Sequence, residues 1–260
     1  MVDAFVKHVL GVDSGHDGLF GETEGYYGTV EEQGRLTLHL HTMLWIKGSL
    51  TPQQIRDRLT RKDGEFQKSL VEYLEGCHQG AFLSGRNAEV ESRVEQEMKT
   101  RHEKMDPSLR VPESPPEECP VHEQSTPSAR CARCASILHW DARFKHTVDE
   151  LLHRFNRHDC EKGFCKSPRF PTCKARFPRD IVPETSVDPD SGYLKMRHGE
   201  SMLNTYNECL TYLMMSNTDV TSLLSGTAMK AVIAYTTDYI TKPGLRTHTM
   251  MEIIKSVFTR

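Results

Sequence analysis

The chain lacks the features that mark several common protein classes. None of its 260 residues falls in an apolar run long enough to span a membrane, and residues 1–10 are too few and too polar for a signal peptide. The pattern G-x-x-x-x-G-K-[ST] does not occur, so no ATPase or helicase motif is present. The formal net charge is only −3, so any nucleic-acid-binding surface has to be local.

Cysteine is abundant, although no secretory signal accompanies it. Eight thiols in such a chain favour a reducing, intracellular compartment and metal ligation rather than disulfides. The zinc-ligand candidates, with short spacings that let two side chains grip one tetrahedral ion, are Cys119, His122, Cys131, Cys134, His158, Cys160, Cys165 and Cys173. One zinc could take Cys131 and Cys134 with two downstream ligands, or two zincs could share all eight candidates. Cys77 and Cys209 are interpreted as ordinary thiols.

A strand with two histidines stands out at residues 35–45. Apolar and polar residues alternate there, which is typical of a β-strand with one buried face. Leucines fall on the face predicted to be core, and His39 and His41 fall together on the other. Two neutral imidazoles held side by side make half of a divalent-metal site. The alternative is a polar strand face that happens to carry two histidines.

A neighbouring strand is predicted at residues 25–31, joined to the histidine strand by a tight turn at residues 32–34. This hairpin would bring Glu31 or Gln33 close to the imidazoles. A carboxylate oxygen would complete a site for Mg²⁺ or Mn²⁺. A solvated turn residue is the alternative for Glu31.

A helix is predicted from Thr227, as its cap, to Pro243 and Gly244, which end it. Tyr235, Tyr239 and Lys242 are spaced four and then three residues apart, so one helical face presents two phenols and an ammonium group. Such a face either takes part in catalysis or is a surface for aromatic packing.

The cysteine-rich segment also carries the chain's basic stretch, with phenylalanines between the cations. Cations for phosphates and aromatic faces for unstacked bases are what single-strand binding requires. The residues predicted to contact DNA are Arg169, Lys174, Arg176 and Arg179. The alternative is that these side chains only cover the zinc loop.

The remaining predicted elements follow from periodicity and capping residues. One helix is predicted to start at Thr51, and others at residues 65–75, 87–105 and 141–155. The helix at 87–105 is predicted to be solvated, and Phe155 is predicted to be buried. Strands are predicted at 193–197 and 210–215, and an exposed connection at 106–128.

Four stretches taken together resemble the HUH endonucleases, which initiate rolling-circle replication, and more closely the replication-initiator (Rep) domain in the helicase-like N-terminal region of Helitron transposases. They are residues 25–33, the His39-Leu40-His41 strand, the Cys/His loop at 158–179, and residues 235–242.

The resemblance implies an α+β fold of the HUH-endonuclease type, with the histidine strand near the centre of an antiparallel sheet. The tyrosine helix would cross the metal face, and a small zinc-binding insertion would form a satellite. The corresponding domain boundaries are residues 1–105 for the first part of the Rep-like domain, 106–180 for the linker and zinc insertion, and 181–260 for the second part.

The resemblance also implies a mechanism of DNA nicking and strand transfer. His39, His41 and Glu31 would hold Mg²⁺ or Mn²⁺, and Tyr235 or Tyr239 would attack single-stranded DNA to form a 5′-phosphotyrosine. Lys242 could balance phosphate charge. A transposon-derived enzyme of this kind would act in the nucleus.

Proteins of this family carry an earlier strand motif and continue into a helicase, and this chain contains neither. We therefore expect a fragment. The alternative function is a non-catalytic zinc module that binds nucleic acid or a protein partner.

Overall fold

The computed structural model describes residues 2–32, 38–101, 106–121, 129–161, 165–166 and 171–241, without the side chains of residues 32 and 235–241. The chain divides into two compact units, one made of Met1–Ile55 with Leu223–Arg260 and the other of Arg56–Ser222. The divisions between these units, after Ile55 and after Ser222, differ from the predicted domain boundaries at residues 105 and 180. The first unit joins both ends of the chain, and the second contains all the cysteines.

The described elements comprise helices and two small antiparallel sheets. In chain order they are α1 (Val2–Ala4, continued by a π-helical turn, Phe5–Val9), β1 (Thr23–Glu32), β2 (Leu38–Ile46), α2 (Pro52–Thr60), α3 (Gly64–Cys77), α4 (Asn87–Thr100), a 3-10 turn (Pro107–Leu109), α5 (Ala132–Leu151, continued by a π-helical turn, Leu152–Asn156), β3 (Ser186–Val187), β4 (Leu194–Lys195), α6 (Glu208–Met214) and α7 (Gly226–Thr241).

The predicted hairpin is confirmed as β1 and β2. The strands pair antiparallel, with Glu31 opposite His39 and Thr29 opposite His41. In the described residues this sheet has only two strands, so the histidine strand is not central in a larger sheet. The leucine face is only partly buried, because Leu40 and Leu44 are half-buried while Leu38 is 77% exposed. Val30, the partner of Leu40 on β1, is half exposed. In a sheet of two strands, each strand has only one neighbour to cover its apolar side chains, so Leu38 near the strand end remains open to water.

Helix starts in the first half of the chain follow their capping residues. Gln54 accepts a hydrogen bond from the Thr51 amide (2.9 Å), and Thr51 Oγ1 accepts one from the Gln54 amide (3.2 Å), as predicted for the start of α2. Asp63 accepts from the Phe66 amide (3.1 Å) and so caps α3, which runs two residues past the predicted end.

The core of the second unit is built on α5. Phe144 and Val148 on this helix, with Leu152 in the π-helical turn after it, form one buried cluster with Leu203 and Tyr206. The helix begins at Ala132, earlier than predicted, and the predicted burial of Phe155 is wrong because this side chain is 39% exposed. Phe155 lies in the π-helical turn, whose wider spacing moves it off the buried stripe of the α-helix.

Helix α4 is less solvated than its composition predicts. Val90 and Val94 are fully buried, and the helix packs against α5 and its π-helical turn. The segment after it is also anchored. Asp106 pairs with Arg154 (2.6 Å), and Glu113 pairs with Arg143 (2.5 Å), so the described part of the predicted exposed connection lies against α5 and its terminal turn.

Three predictions in the last third of the chain need correction. Residues 210–214 belong to α6 and not to a strand, because Asn207 caps the helix by accepting from the Leu210 amide (2.9 Å). Met215 follows α6 in the left-handed region (φ 46°) and ends it. The strand predicted at 193–197 is limited to β4. Helix α7 is capped by Ser225, which accepts from the Ala228 amide (3.1 Å), and not by Thr227.

Candidate metal centres

The hairpin brings a carboxylate into contact with one of the two histidines. His41 Nε2 lies 3.1 Å from Glu31 Oε1, and both side chains are about four-fifths buried. The His39 and His41 rings lie next to each other, with centroids 4.7 Å apart and planes tilted by 57°. Glu31 therefore stands on the histidine face, as the hairpin predicts. The donor atoms of His39, His41 and Glu31 do not all lie within 4.8 Å of one another. In two Cys/His clusters elsewhere in the described chain, the donor atoms do lie that close together.

Burial lowers the pKa of His39, and the neighbouring His41 lowers it further, while Glu31 acts in the opposite direction. The lowered pKa keeps the ring neutral at pH 7. A neutral imidazole has a nitrogen lone pair available to a metal ion, which a protonated ring does not. The roles of His39, His41 and Glu31 as ligands stay predictions.

The residues predicted to carry out the nucleophilic step lie near residue 241, the last residue that the structure describes. Tyr235 and Tyr239 are in α7, whose backbone is described there, but their side chains are not. Lys242 lies outside the described residues. Helix α7 contacts β1, so the tyrosine helix and the strand bearing Glu31 belong to one compact unit.

The first cysteine group lies at the start of α5. The sulfur atoms of Cys119, Cys131 and Cys134 all lie within 4.8 Å of one another, and Cys119 and Cys131 are 3.7 Å apart. Cys131 is the residue that precedes α5, and Cys134 lies in its first turn. Cys119 and Cys134 are buried. His122, predicted as a ligand here, lies outside the described residues.

The second group contains four ligands. His158, Cys160, Cys165 and Cys173 place one donor atom each within 4.8 Å of the others, and His158 Nε2 lies 3.3 Å from Cys173 Sγ. All four were predicted from spacing, and the structure brings them together beyond the end of α5. No other described His, Cys, Asp or Glu belongs to either group.

Local contacts fix the second group. The His158 ring stacks on Phe177 (centroids 4.3 Å apart), and the amides of Lys174 and Arg176 donate to the carbonyls of Cys165 and Cys173, both at 2.9 Å. These two hydrogen bonds turn the backbone around the thiols. Arg176 adopts a left-handed conformation (φ 62°) in this turn.

The thiols of this group have shifted pKa values. Burial, together with hydrogen bonds to Cys165 and Cys173, raises the pKa of Cys160 to about 11. For Cys173 burial acts to raise the pKa, but hydrogen bonds from the Phe177 backbone and from neighbouring thiols outweigh it and lower the pKa. Of Cys160 and Cys173, the thiolate is therefore more favoured at Cys173. Backbone N–H donors of this kind also stabilise metal-bound thiolates.

All eight cysteines are free of disulfides. Cys77 and Cys209 lie outside both groups, in agreement with their interpretation as ordinary thiols. The six others and His158 are compatible with metal binding, which the sequence predicts for this segment.

The predicted DNA-binding cations differ in their surroundings. Lys174 and Arg176 are exposed. Arg179 is engaged within the protein, since it lies over the Phe177 ring (4.5 Å) and donates to Asn204 Oδ1 (2.8 Å). Phe177 is buried against His158, so this aromatic side chain is not free to stack on a base. Arg169 lies outside the described residues.

Two buried carboxylates on α5 were not singled out from the sequence. Asp149 accepts hydrogen bonds from the amides of Leu83 (2.7 Å) and Ser84 (2.9 Å) and pairs with Arg93 (3.5 Å). Glu150 pairs with Arg154 (3.1 Å) and with Arg101. Their position beside Val148 and Leu151 in a predicted buried stripe is the signal that could have revealed them.

Comparisons of the chain with known protein families, with curated proteins and with solved structures gave no match. In the described part of the chain, no helix combines the length and the apolar composition that crossing a membrane demands.

Proposed function

We propose that the protein is a Helitron Rep-like, metal-dependent endonuclease that nicks single-stranded DNA and transfers the cut strand. The observation that carries this proposal is the contact between Glu31 and His41 on the hairpin face that also bears His39. Helix α7, which carries Tyr235 and Tyr239, contacts the strand that holds Glu31.

The donor set of two imidazoles and one carboxylate suits Mn²⁺ or Mg²⁺. Such an ion, when bound, would polarise the scissile phosphate and stabilise negative charge on its oxygens. His39, whose ring lies next to that of His41, would complete the ligand set. The lowered pKa of His39 favours the neutral ring that this role requires.

The tyrosines supply the nucleophile in this proposal. One phenol oxygen attacks phosphorus as the bond to the 3′ oxygen breaks, leaving a 5′-phosphotyrosine and a free 3′-hydroxyl. The phenol proton is lost and the leaving oxygen gains one, so the exchange of esters is balanced. A second tyrosine one helical turn away would allow a second strand end to be accepted. Lys242 would balance phosphate charge.

We further propose that the cysteine groups hold structural Zn²⁺ and that the exposed cations Lys174 and Arg176 contact phosphates of the DNA. Thiolate ligands at short spacing are typical of zinc sites. DNA as substrate implies a nuclear location.

The test is to incubate the protein with a labelled single-stranded oligonucleotide and Mn²⁺ and to look for a covalent protein–DNA adduct. We expect His39→Ala with His41→Ala, and separately Tyr235→Phe with Tyr239→Phe, to abolish the adduct, while only the tyrosine pair retains Mn²⁺ affinity. His139→Ala and Tyr193→Phe, at exposed positions outside the proposed site, are the matched controls.

The second candidate function is a non-catalytic zinc module that binds nucleic acid or protein. The complete four-ligand group with two exposed cations beside it favours this alternative. Binding of the oligonucleotide without any adduct, unchanged in the tyrosine variant, would replace the nickase by this module.

A further inference from the structure

The candidate zinc ligands are divided between the two ends of α5. We infer that the chain binds two separate zinc ions, one held by Cys119, Cys131 and Cys134 and the other by His158, Cys160, Cys165 and Cys173. This assignment does not rest on the nickase, because it concerns side chains of the second unit alone.

The distances within each group fit one tetrahedral ion. With zinc–sulfur bonds of about 2.3 Å, two thiolates on one tetrahedral zinc lie about 3.8 Å apart, and a thiolate and an imidazole nitrogen lie slightly closer. The Cys119 and Cys131 sulfurs are 3.7 Å apart, and Cys173 Sγ lies 3.3 Å from His158 Nε2. A disulfide requires about 2.05 Å between sulfurs, so the Cys119–Cys131 distance is that of ligands and not of a bond.

The length of α5 excludes one ion shared between the groups. Cys131 and Cys134 lie at the start of this helix of 20 residues, and His158 follows its C-terminal turn. A helix of that length spans about 30 Å, at 1.5 Å per residue. Zinc ligands must lie about 2 Å from the ion, so Cys131 and Cys134 cannot share one with the downstream group.

The chemistry of the donors points to zinc. Three thiolates with one imidazole form a closed ligand set typical of structural zinc, and soft sulfur ligands disfavour Mg²⁺ and Mn²⁺. A two-iron cluster would need ligands divided between two metal atoms, whereas all donor atoms in each group lie within 4.8 Å. The first group supplies three thiolates, two of them buried, around one point.

The two ions would tie separate loops to the two ends of the core helix. The first joins Cys119 to the start of α5, where the helix has no side-chain cap. The second joins the chain after α5 to the turn at Cys173, which is held by the stack of His158 on Phe177. Metal binding at such loops contributes directly to their folding free energy.

The experiment measures zinc in the full chain purified without added metal. We expect two zinc ions per chain in the wild type, and one in each of the variants Cys134→Ser and Cys160→Ser. Cys209→Ser, an exposed thiol outside both groups, should retain two. A wild type with one zinc or none, or loss of all zinc in both single variants, would overturn the assignment.

A second measurement covers variants that fail to fold. Unmodified protein is treated with a chelator and then with an alkylating reagent, and the modified peptides are identified by mass spectrometry over time. We expect Cys119, Cys131 and Cys134 to become reactive as one block and Cys160, Cys165 and Cys173 as another, with Cys209 reactive from the start. Simultaneous loss of protection across all six thiols at every chelator concentration would contradict two independent centres.

Discussion

At the scale of single residues, Asp149 is a charged group with several polar partners inside the protein. It is fully buried, and its oxygens accept from the Leu83 and Ser84 amides and from the Ser84 hydroxyl, with Arg93 nearby. The carboxylate thereby holds the turn before α4 against α5. Its removal leaves buried donors and one guanidinium without their partner.

We therefore expect Asp149→Ala to lower the free energy of unfolding by about 3–5 kcal/mol, as for other broken buried ion pairs. Asp141→Ala on the same helix is the matched control, because its pair with Lys145 is exposed and is expected to contribute about 0–1 kcal/mol. Urea unfolding followed by circular dichroism measures both. Equal effects in the two variants would contradict the structural role of Asp149.

A second prediction for a single residue concerns His122, the candidate fourth ligand of the first cysteine group. Its spacing from Cys119 predicts that it completes the first zinc centre, which has three thiolates among the described residues. We expect His122→Ala to weaken zinc binding at that centre by at least about tenfold, and to leave the second centre unchanged, because a ligand is lost at only one of them. Competition with a chromogenic chelator measures both affinities. His139→Ala, on the exposed side of α5, should behave as wild type.

At the scale of elements, α6 depends on one polar side chain. Asn207 is buried, caps the helix through the Leu210 amide, and donates to the carbonyls of Cys77 (2.9 Å) and Gly76 (3.3 Å). One residue thus fixes both the start of α6 and its attachment to the end of α3. The seven-residue helix is too short to be stable by itself.

Asn207→Ala is accordingly expected to lower the free energy of unfolding by about 2 kcal/mol, since it removes a cap and leaves the buried Cys77 carbonyl without this donor. Asp63→Ala removes an exposed cap from α3 and should cost about 1 kcal/mol. Chemical denaturation of both variants provides the measurement. A smaller loss for Asn207→Ala than for Asp63→Ala would show that the hydrogen bonds to the end of α3 contribute nothing beyond the cap.

For the whole molecule, one buried and two half-buried histidines contribute to the response to acid. Burial lowers the pKa values of His78, His153 and His198 below the ordinary 6.5, so the folded chain resists protonation that the unfolded chain accepts. Below about pH 6.5 the unfolded state binds more protons, so stability falls as the pH falls and is unaffected by these groups well above that value. The Asp106 carboxyl, whose pKa is lowered chiefly by Arg154, acts only at pH values below its ordinary 3.8.

His78 offers the clearest test, because it is buried and its Nε2 lies 2.9 Å from Ser222 Oγ. We expect the free energy of unfolding of the wild type to fall between pH 6.5 and 5, with at most about 1.4 kcal/mol per pH unit from each such imidazole. His78→Gln should reduce this slope, and His139→Gln should not. Urea midpoints measured at several pH values test this, and a slope unaffected by His78→Gln would show that His78 does not contribute to the loss of stability in acid.

The sequence by itself determined the local features of this protein. Alternation in residues 38–46 and the polar turn before it specified the hairpin, and the Thr51 and Gln54 pair specified the start of α2. The cysteine spacing marked the metal-ligand candidates. These features depend on a few neighbouring residues, so a local pattern contains the necessary information.

Only the tertiary structure decided how distant segments combine. The apolar run at residues 210–215 suits a strand or a helix equally, and the contacts of Asn207 with the end of α3 select the helix. Likewise, the division of the cysteines into two groups follows from the full length of α5, which starts earlier than its apolar stripe. Burial of Asp149 depends on amide donors 65 and 66 residues away. Such contacts are set by packing between segments far apart in the chain, and no local pattern specifies them.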